Sequence, residues 1–445
     1  MTEIYILGAC AAALLLCVIA KFSILYALGF GYFLFFAYGL WKKQSVLQML
    51  KLSLRGILTV KNILVTFVLI GVITAVWRVG GTIPFIVYYA TKAFSPAGMV
   101  LITFLLCCLL SVLTGTALGT AATVGIICMT VANSMGIPPW YAGGAILAGI
   151  YFGDRCSPLS TSALLVAELT GTKIFDNLSN MVKTSVVPFF VTCLLYLFMG
   201  VFCKTGAGTV NIQAAFANYF DLNPIVLVPA GMIVVLSLCR LNVKITMGSS
   251  ILAAAVITLR VQHVMPAELL RVAIWGYHPE NAELAALLSG GGVLSMAKVF
   301  AIVCLSACYA GMFNGTGFLD GIKANIDSLS KKATSFGAVL LTAFVTGLIA
   351  CNQTLAIMLT HQLCKDVEKN KEALALYLED SAVVVAPLIP WSVACAVPLA
   401  SVGAPSSSVL LAFYLYLLPL WGLFCAMHPK ARFPGCLAKQ SGRCK

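Results

Sequence analysis

The chain has 445 residues, of which 61% are hydrophobic and 10% are charged, and its formal net charge is +13 at pH 7. A mean hydropathy of +1.00 exceeds what a soluble globular protein carries, so that class is excluded. The composition predicts an all-α polytopic membrane protein with a single membrane domain, residues 1–445. Because one apolar helix needs about 20 residues to cross a bilayer, this length allows about ten to twelve spans.

The positive charge lies in short clusters between apolar runs rather than along one soluble face. This pattern argues against nucleic acid as a partner and favours the lipid bilayer. Since loops of this kind are typical of the cytoplasmic side, we expect a multi-pass protein of the cell membrane, the inner or plasma membrane of a bacterium. The clusters are Lys42, Lys43, Lys51, Arg55 and Lys61, then Lys323, Lys331 and Lys332, and a basic tail at 429–445.

The amino terminus, the cysteines and the histidines predict neither a cleaved signal peptide nor a metal site. Met1-Thr2-Glu3 lacks the basic flank of a cleaved signal peptide, so we expect the first apolar run to be retained. The 17 cysteines are scattered through apolar runs, which is typical of packing residues. Because the four histidines are far apart and match no metal spacing, we expect no structural metal and no cofactor. They are His263, His278, His361 and His428.

Taken in chain order, the apolar runs form two similar halves. Repeat one covers about 1–205 with a core at 63–203, and repeat two covers about 221–428 with a core at 298–428. A basic amphipathic connector at 42–62 is predicted to lie along the membrane surface. The apolar runs of the first half are 3–20, 22–41, 63–79, 85–113 and 183–203. Those of the second half are 224–239, 245–262, 298–313, 333–350 and 408–427.

Short polar segments interrupt the apolar runs in both halves, at Thr114–Thr120 and at Cys351–Thr354. Each is followed by an acidic residue and a polar turn with proline, at Gly153–Ser160 and at Glu379–Ser392. Lipid cannot satisfy free backbone groups, so irregular backbone at membrane depth lines a site or a cavity. Paired breaks in corresponding halves indicate the binding site of a secondary transporter.

Weaker breaks support a duplication. Aligning Gly81-Thr82 with Gly315-Thr316 also places Thr120 opposite Thr354, with a common offset of 234 residues. Such registry is what an internal repeat leaves. The charge counts do not decide whether the second repeat is inverted.

Three of these segments, Gly81–Pro84, Thr114–Thr120 and Gly149–Ser160, resemble the NhaC-type Na⁺/H⁺ antiporters. The resemblance extends over about residues 63–425 and includes Gly276-Tyr277, Gly290–Gly292, Ser295-Met296, Leu378–Asp380 and Pro387–Trp391. It implies a divergent member of the ion transporter superfamily, with inverted repeats, re-entrant hairpins and elevator-like movement. It also implies Na⁺/H⁺ antiport and a possible homodimer.

The chain departs from the family pattern at carboxylate positions. Thr161–Leu164 stand where the family commonly has an acidic residue, and Asn352-Gln353 stand where it has an aspartate before the glutamine. Leu118 replaces a tryptophan, and Glu168 is an additional acid. With two carboxylates missing, the alternative is a Na⁺- or H⁺-coupled carrier of a small organic acid or amino acid, with counter-charges at Arg78 or Arg240.

A membrane-embedded enzyme or sensor is a further alternative. The sequence contains no Gly-x-Ser-x-Gly, His-Glu-x-x-His or P-loop pattern. A duplicated break is not needed by an enzyme, so we expect a transporter.

An ionisable residue within the membrane costs about 2.5–3.5 kcal/mol or more, which makes it a functional candidate. The candidate proton carriers are Asp154, Asp380 and Glu168, because burial disfavours the charged form of a carboxylate. Each has an alternative interpretation. For Asp154 the alternative is an ion pair with the adjacent Arg155. For Asp380 it is a position at a helix start, where the helix dipole favours acids. For Glu168 it is a position in water at the mouth of a hairpin.

Neutral oxygen ligands and flexible positions complete the predicted site. Na⁺ binds hydroxyl, amide and carbonyl oxygens at the ends of broken helices. The candidate cation or substrate ligands are Thr116, Thr120, Ser157, Ser160, Thr161, Asn352, Gln353 and Thr354. The candidate hinge or backbone positions are Gly115, Gly119, Pro158, Gly315 and Pro387, although glycines also serve close helix packing.

Overall fold

The computed structural model is helical, and the residues that it describes come from most of the chain. They are 2–19, 22–59, 61–93, 95–158, 160–202, 219–239, 241, 243–281, 284–285, 288–316, 334–350 and 352–428. The basic tail at 429–445, the basic cluster from Lys323 to Lys332, and Arg240 lie outside them.

The helices of the first half are α1 Thr2–Ile19, α2 Ile24–Trp41, α3 Val46–Thr59, α4 Lys61–Val79, α5 Thr82–Ala93, α6 Pro96–Thr114, α7 Ala117–Thr120, α8 Ile126–Ser134, α9 Pro139–Cys156, α10 Thr161–Thr170 and α11 Ile174–Phe202. The first three predicted apolar runs of the first half match α1, α2 and α4, whereas the run at 85–113 is divided between α5 and α6 and α11 begins before the run at 183–203. A π-helical turn, Ala121–Gly125, joins α7 to α8, so that Ala117–Ser134 is one continuous helix.

The second half has the same helical character. Its helices are α12 Val228–Leu238, α13 Val243–Arg260, α14 Pro266–Trp275, α15 Ala297–Thr316, α16 Ser335–Ala350, α17 Gln353–Cys364, α18 Lys371–Asp380, α19 Ala382–Val385, α20 Val393–Ser401 and α21 Phe413–Met427. Short 3₁₀ turns precede or follow several of them, at Pro224–Leu227, Val293–Met296, Ala386–Leu388 and Ser406–Leu411.

Few of the described helices are long and apolar enough to cross a bilayer without a break. By length and composition, 3 qualify, namely Pro96–Thr114, Ala117–Ser134 and Ile174–Phe202, and up to 5 if each bent pair forms one span. This is fewer than the ten to twelve spans that the sequence predicts. Breaks divide the apolar runs, and other apolar helices, such as Ser335–Leu348, are only 10–17 residues long.

Helix breaks occur where the sequence places its polar segments. The α4–α5 pair bends by 66° at Gly80-Gly81, where Gly81 has a φ of 82°. The pair formed by Lys371–Leu388 and Val393–Ser401 bends by 56°. Between α6 and α7, Gly115 is left-handed with a φ of 67°, a conformation that costs glycine little. The fold is therefore an all-α membrane architecture with broken helices.

The most extensive helix packing joins α6 to α9. A Cβ at Gly149 would lie 2.7 Å from the Phe104 carbonyl oxygen, and a Cβ at Gly153 would overlap Ser111. The Ser111 hydroxyl donates to the Ile150 carbonyl oxygen at 2.6 Å, across the same contact. Small residues spaced by four let two helix backbones approach in a membrane, so these glycines fix the position of α9.

A second cluster joins α1, α2 and α3 to α15. Gly56 and Gly311 meet at the α3–α15 contact, where the added Cβ of either would overlap the backbone of the other helix. The predicted surface connector is thus a helix with one face packed on α15. Gly315, a predicted hinge, is the second-to-last described residue of α15 and packs against Leu52.

Gly153→Ala is expected to destabilise the protein by about 1–3 kcal/mol, because the new methyl group displaces Ser111 and separates α6 from α9. Thermal unfolding of the detergent-purified protein measures the effect. Gly248→Ala in α13 is the matched control, because a Cβ added there would have no atom within 4 Å. Equal unfolding temperatures for the two variants would contradict a tight α6–α9 contact.

Candidate functional site

Asp154 lies in the last turn of α9, and its side chain is buried with 4% exposure. Its carboxylate accepts hydrogen bonds from the hydroxyl groups of Ser160, at 3.0 Å, and Ser162, at 2.9 Å. The Gln353 side-chain amide donates to the same carboxylate at 3.3 Å. The carboxylate thus has only neutral donors among these partners.

The polar turn after α9 positions these donors through helix capping. Ser160 is the N-cap of α10, and its side chain accepts from the backbone N–H groups of Ser162, at 3.2 Å, and Ala163, at 3.5 Å. A serine at this position satisfies the free N–H groups of a helix start. Its hydroxyl proton remains available for Asp154. The turn therefore both caps α10 and donates a hydrogen bond to the Asp154 carboxylate.

The second-half break reaches the same carboxylate. Asn352 is the N-cap of α17 and accepts from the backbone N–H of Thr354 at 2.9 Å. Gln353 also donates to the Val383 carbonyl oxygen at 3.0 Å, on α19. The break between α16 and α17 is therefore tied both to α9 and to the bent segment after α18.

A cavity of about 330 Å³ lies beside Asp154. The first residues of four helices line it: Ala117 of α7, Thr161 of α10, Gln353 of α17 and Val393 of α20. The remaining lining residues are Thr66, Thr116, Leu118, Gly119, Tyr151, Asp154, Lys244, Asn352, Thr354 and Ala394. Because the amino end of a helix carries a partial positive charge, these helix starts bring partial positive charge to the cavity wall.

One hydroxyl group that lines the cavity makes no hydrogen bond to the described residues. Thr116 is the N-cap residue of α7, but its side chain makes no capping bond. Its buried Oγ1 has no hydrogen-bond partner among the described residues. By contrast, the caps Ser160, Asn352 and Ser392 each accept a backbone N–H. A buried polar atom without a partner at a cavity wall is a ligand position.

Tyr151 fixes one wall of the cavity. Its hydroxyl donates to the Ala394 carbonyl oxygen at 2.7 Å, and so joins α9 to the first turn of α20. Both residues are buried. The cavity is therefore held by contacts between the two halves of the chain.

A separate buried cluster surrounds Arg155, which is 0% exposed. Its guanidinium forms an ion pair with Asp380 and donates to Thr184 at 2.8 Å and to Ser185 at 2.5 Å. The Met181 carbonyl oxygen accepts a further bond at 3.0 Å. Among the described residues the ion-pair partner of Arg155 is therefore Asp380 and not Asp154, contrary to the alternative drawn from their adjacency.

The structure brings together about half of the predicted site residues. Asp154, Thr116, Gly119, Thr161, Asn352, Gln353 and Thr354 line the cavity, and Ser160 binds Asp154.

The other predicted residues have different positions. Thr120 and Ser157 donate to backbone carbonyl oxygens, those of Thr116 and Val112. Glu168 is exposed on α10, and Asp380 is paired with Arg155. Gly115, Pro158 and Pro387 lie at the ends of helices or in turns, as a hinge position requires.

Sequence reasoning missed Ser162, Tyr151, Thr66 and Lys244. Only Ser162 had a local signal, since it follows the Ser160 cap by two residues. Lys244 stands at the start of α13, far in sequence from the paired polar breaks, yet lines the cavity. The predicted counter-charge Arg78 instead donates to the Ser289 carbonyl oxygen at 2.7 Å and lies outside the cavity lining.

Comparison with known proteins supports the resemblance carried by these motifs. The model of the Na⁺/H⁺ antiporter family matches residues 149–424, which include Asp154, the Arg155–Asp380 pair and the second-half breaks. The chain belongs to the Na⁺/H⁺ antiporter family. Members of this family are secondary transporters and not enzymes, and a small cation is among their substrates.

Individual relatives span most of the chain. It is 29% identical to the Na⁺/H⁺ antiporter NhaC of Alkalihalophilus pseudofirmus over 367 residues, which cover 79% of this chain and 78% of the relative. It is 26% identical to the malate-2H⁺/Na⁺-lactate antiporter of Bacillus subtilis, with coverage of 73% and 71%. It is 27% identical to the arginine/ornithine antiporter ArcD of Halobacterium salinarum, with coverage of 79% and 75%.

Asp380→Asn is expected to destabilise the protein by about 3–5 kcal/mol, because the buried Arg155 charge loses its partner. Thermal unfolding of the purified protein measures the change. Asp366→Asn, at an exposed position after α17, is the control and should unfold as the unmodified protein does. A stable Asp380→Asn variant that exchanges cations without moving protons would instead support the sequence prediction that Asp380 carries the proton.

Proposed function

We propose that this protein is a Na⁺/H⁺ antiporter of the cell membrane and that Asp154 is its cation ligand. The observation that carries the proposal is a buried carboxylate with neutral donors beside a cavity whose wall holds an unused hydroxyl, that of Thr116. A hard cation prefers oxygen ligands of these two kinds. The family to which the chain belongs supports the same function.

The two missing carboxylates define the charge of the site. Thr161 and Asn352, which replace the acids expected from the family, both line the cavity. Asp154 is therefore the only acidic residue among its lining residues. A single negative charge is neutralised by one monovalent cation or by one proton. Na⁺/H⁺ exchange then requires that cation binding at Asp154 displaces a proton from the protein.

We also propose the wider features that the family resemblance implies. They are inverted repeats, alternating access by an elevator-like movement, assembly as a homodimer in the lipid bilayer, and operation without a cofactor. The helix breaks and the 66° and 56° bends support re-entrant segments in both halves. The transported ions, Na⁺ and H⁺, are then the only small partners needed.

Asp154→Asn is expected to reduce Na⁺-driven proton movement by at least about tenfold, because an amide does not balance the charge of a bound cation. Purified protein in liposomes with an internal pH-sensitive dye gives the measurement. The exposed Asp366→Asn variant is the control for the substitution. Unchanged exchange by Asp154→Asn would remove this residue from the cation site.

A second candidate function, transport of a small organic acid or amino acid, is favoured by Lys244. This lysine adds a positive group to a cavity that four helix starts already make favourable for anions. Since one water occupies about 30 Å³ of liquid, the cavity volume of about 330 Å³ fits a solute larger than a bare cation. The names of the malate/lactate and arginine/ornithine relatives fit this range.

Lys244→Gln tests the second candidate. If the cavity binds a carboxylate at Lys244, this variant is expected to lower uptake of malate, lactate or an amino acid by about tenfold, the value of one charged hydrogen bond. Uptake into the same liposomes measures this, with the exposed Lys183→Gln as control. Proton movement with Na⁺ alone, and no response to any organic solute in the unmodified protein, would exclude the second candidate.

A further inference from the structure

We propose that Glu379 carries the exchanged proton, while Asp154 holds the cation. This inference rests on the Na⁺/H⁺ exchange proposed above and assigns a site to each ion. The sequence-based candidates for the proton were Asp154, Asp380 and Glu168, and Glu379 was not among them.

Glu379 is a buried acid whose carboxyl group receives no hydrogen bond from the described residues. It stands in the last turn of α18 with 0% exposure. Neither of its carboxyl oxygens has a hydrogen-bond partner among the described residues. An ionised carboxylate in such a place loses its hydration without compensation, so the neutral, protonated form is strongly favoured.

Asp154 has the opposite environment at a similar depth. Its carboxylate receives two hydroxyl donors and one amide donor at 2.9–3.3 Å. Hydrogen bonds to the charged form of an acid favour that form. Two carboxyl groups whose surroundings differ in this way take different roles, one as a charged ligand and the other as a proton donor.

Asp380 is unsuited to carry the proton although it neighbours Glu379. Its negative charge is balanced by Arg155, and its carboxylate also accepts from the Thr184 hydroxyl at 3.4 Å. The Arg155 guanidinium is in turn held by Thr184, Ser185 and the Met181 carbonyl oxygen. The pair is electrically neutral, which leaves Glu379 as the titratable acid without a dedicated counter-charge.

Glu379 lies within electrostatic range of the cation site. The Arg155–Asp380 ion pair joins the neighbour of Asp154 in α9 to the neighbour of Glu379 in α18. The charged groups near Glu379 among the described residues are therefore Arg155, Asp154 and Asp380, and the Cys156 thiol follows Arg155 on α9. With Arg155 and Asp380 paired, the variable charge in this set is that of Asp154. A cation bound at Asp154 removes a negative charge that otherwise retains the proton on Glu379.

This arrangement couples the two ions. When Na⁺ binds Asp154, the O–H bond of Glu379 breaks more readily, and its proton passes to water while the electron pair stays on the carboxylate. When Na⁺ leaves, the negative Asp154 again favours proton uptake by Glu379. Such coupling is reciprocal, so lower pH must weaken Na⁺ binding by the factor by which Na⁺ weakens proton binding.

The experiment compares proton release with Na⁺ binding. Na⁺ is added to detergent-purified protein in weakly buffered solution with a pH indicator, and Na⁺ affinity is measured separately with ²²Na⁺ across a range of pH. The variants are Glu379→Gln, Glu379→Asp and the control Glu372→Gln, which makes the same change at an exposed position of α18.

For Glu379→Gln we expect Na⁺ binding to persist, proton release to fall by about tenfold or more, and the pH dependence of Na⁺ affinity to flatten. Glu379→Asp should restore part of the proton release, which a merely structural role would not require. If Glu379→Gln is unstable, the comparison of Glu379→Asp with the unmodified protein still decides, because a shorter acid should shift the pH at which protons are released.

The outcomes separate the two proposals. Full proton release and unchanged pH dependence in Glu379→Gln, or an unshifted release profile in Glu379→Asp, would overturn the role of Glu379 and leave Na⁺/H⁺ exchange intact. Unmodified protein that binds no Na⁺, or that binds it without releasing protons, would overturn the exchange itself.

Discussion

The architecture depends on one requirement: the free backbone N–H groups at each helix interruption need hydrogen-bond acceptors inside an apolar fold. Each break exposes N–H groups that lipid cannot bind, and side chains at the helix starts take their place. Ser160, Asn352 and Ser392 do this, and two of the breaks also supply donors to Asp154. The same polar atoms that make the interruptions tolerable thus create the site, and four helix starts are brought to one cavity.

The three buried acids differ in their hydrogen-bond and ion-pair partners rather than in their degree of burial. Asp154, Glu379 and Asp380 are all buried. Among the described residues, neutral groups donate to Asp154, no group donates to Glu379, and Arg155 balances the charge of Asp380. Arg155 is itself fully buried, and its charge is sustained by hydroxyl and carbonyl groups of α11 as well as by Asp380. Removing any one of these partners would alter the electrostatics of the whole group.

The sequence predicted the fold class and the breaks because both have local signals. Apolar runs and polar interruptions are readable in order along the chain, and the family motifs coincide with α9 and its following turn. Contacts between residues that are far apart in the sequence have no such local signal. The Arg155–Asp380 pair joins residues 225 positions apart, and Lys244 reaches the cavity from an ordinary apolar helix. The offset of 234 residues also differs from the spacing of the caps, since Thr116 and Asn352 are 236 apart and Ser160 and Ser392 are 232 apart.

The glycine contact between α6 and α9 determines which distances stay constant when the molecule moves. Because Gly149 and Gly153 bring these helices together, Asp154 at the end of α9 and Thr116, just beyond the end of α6, belong to one mechanical unit. Lys244 and Thr66 come from α13 and α4, which pack on each other. In any rearrangement that separates the two helix pairs, Asp154 and Thr116, the proposed oxygen ligands, keep their mutual geometry while the lysine changes its distance from them. The proposed cation site then keeps one geometry, while the charge around it depends on conformation.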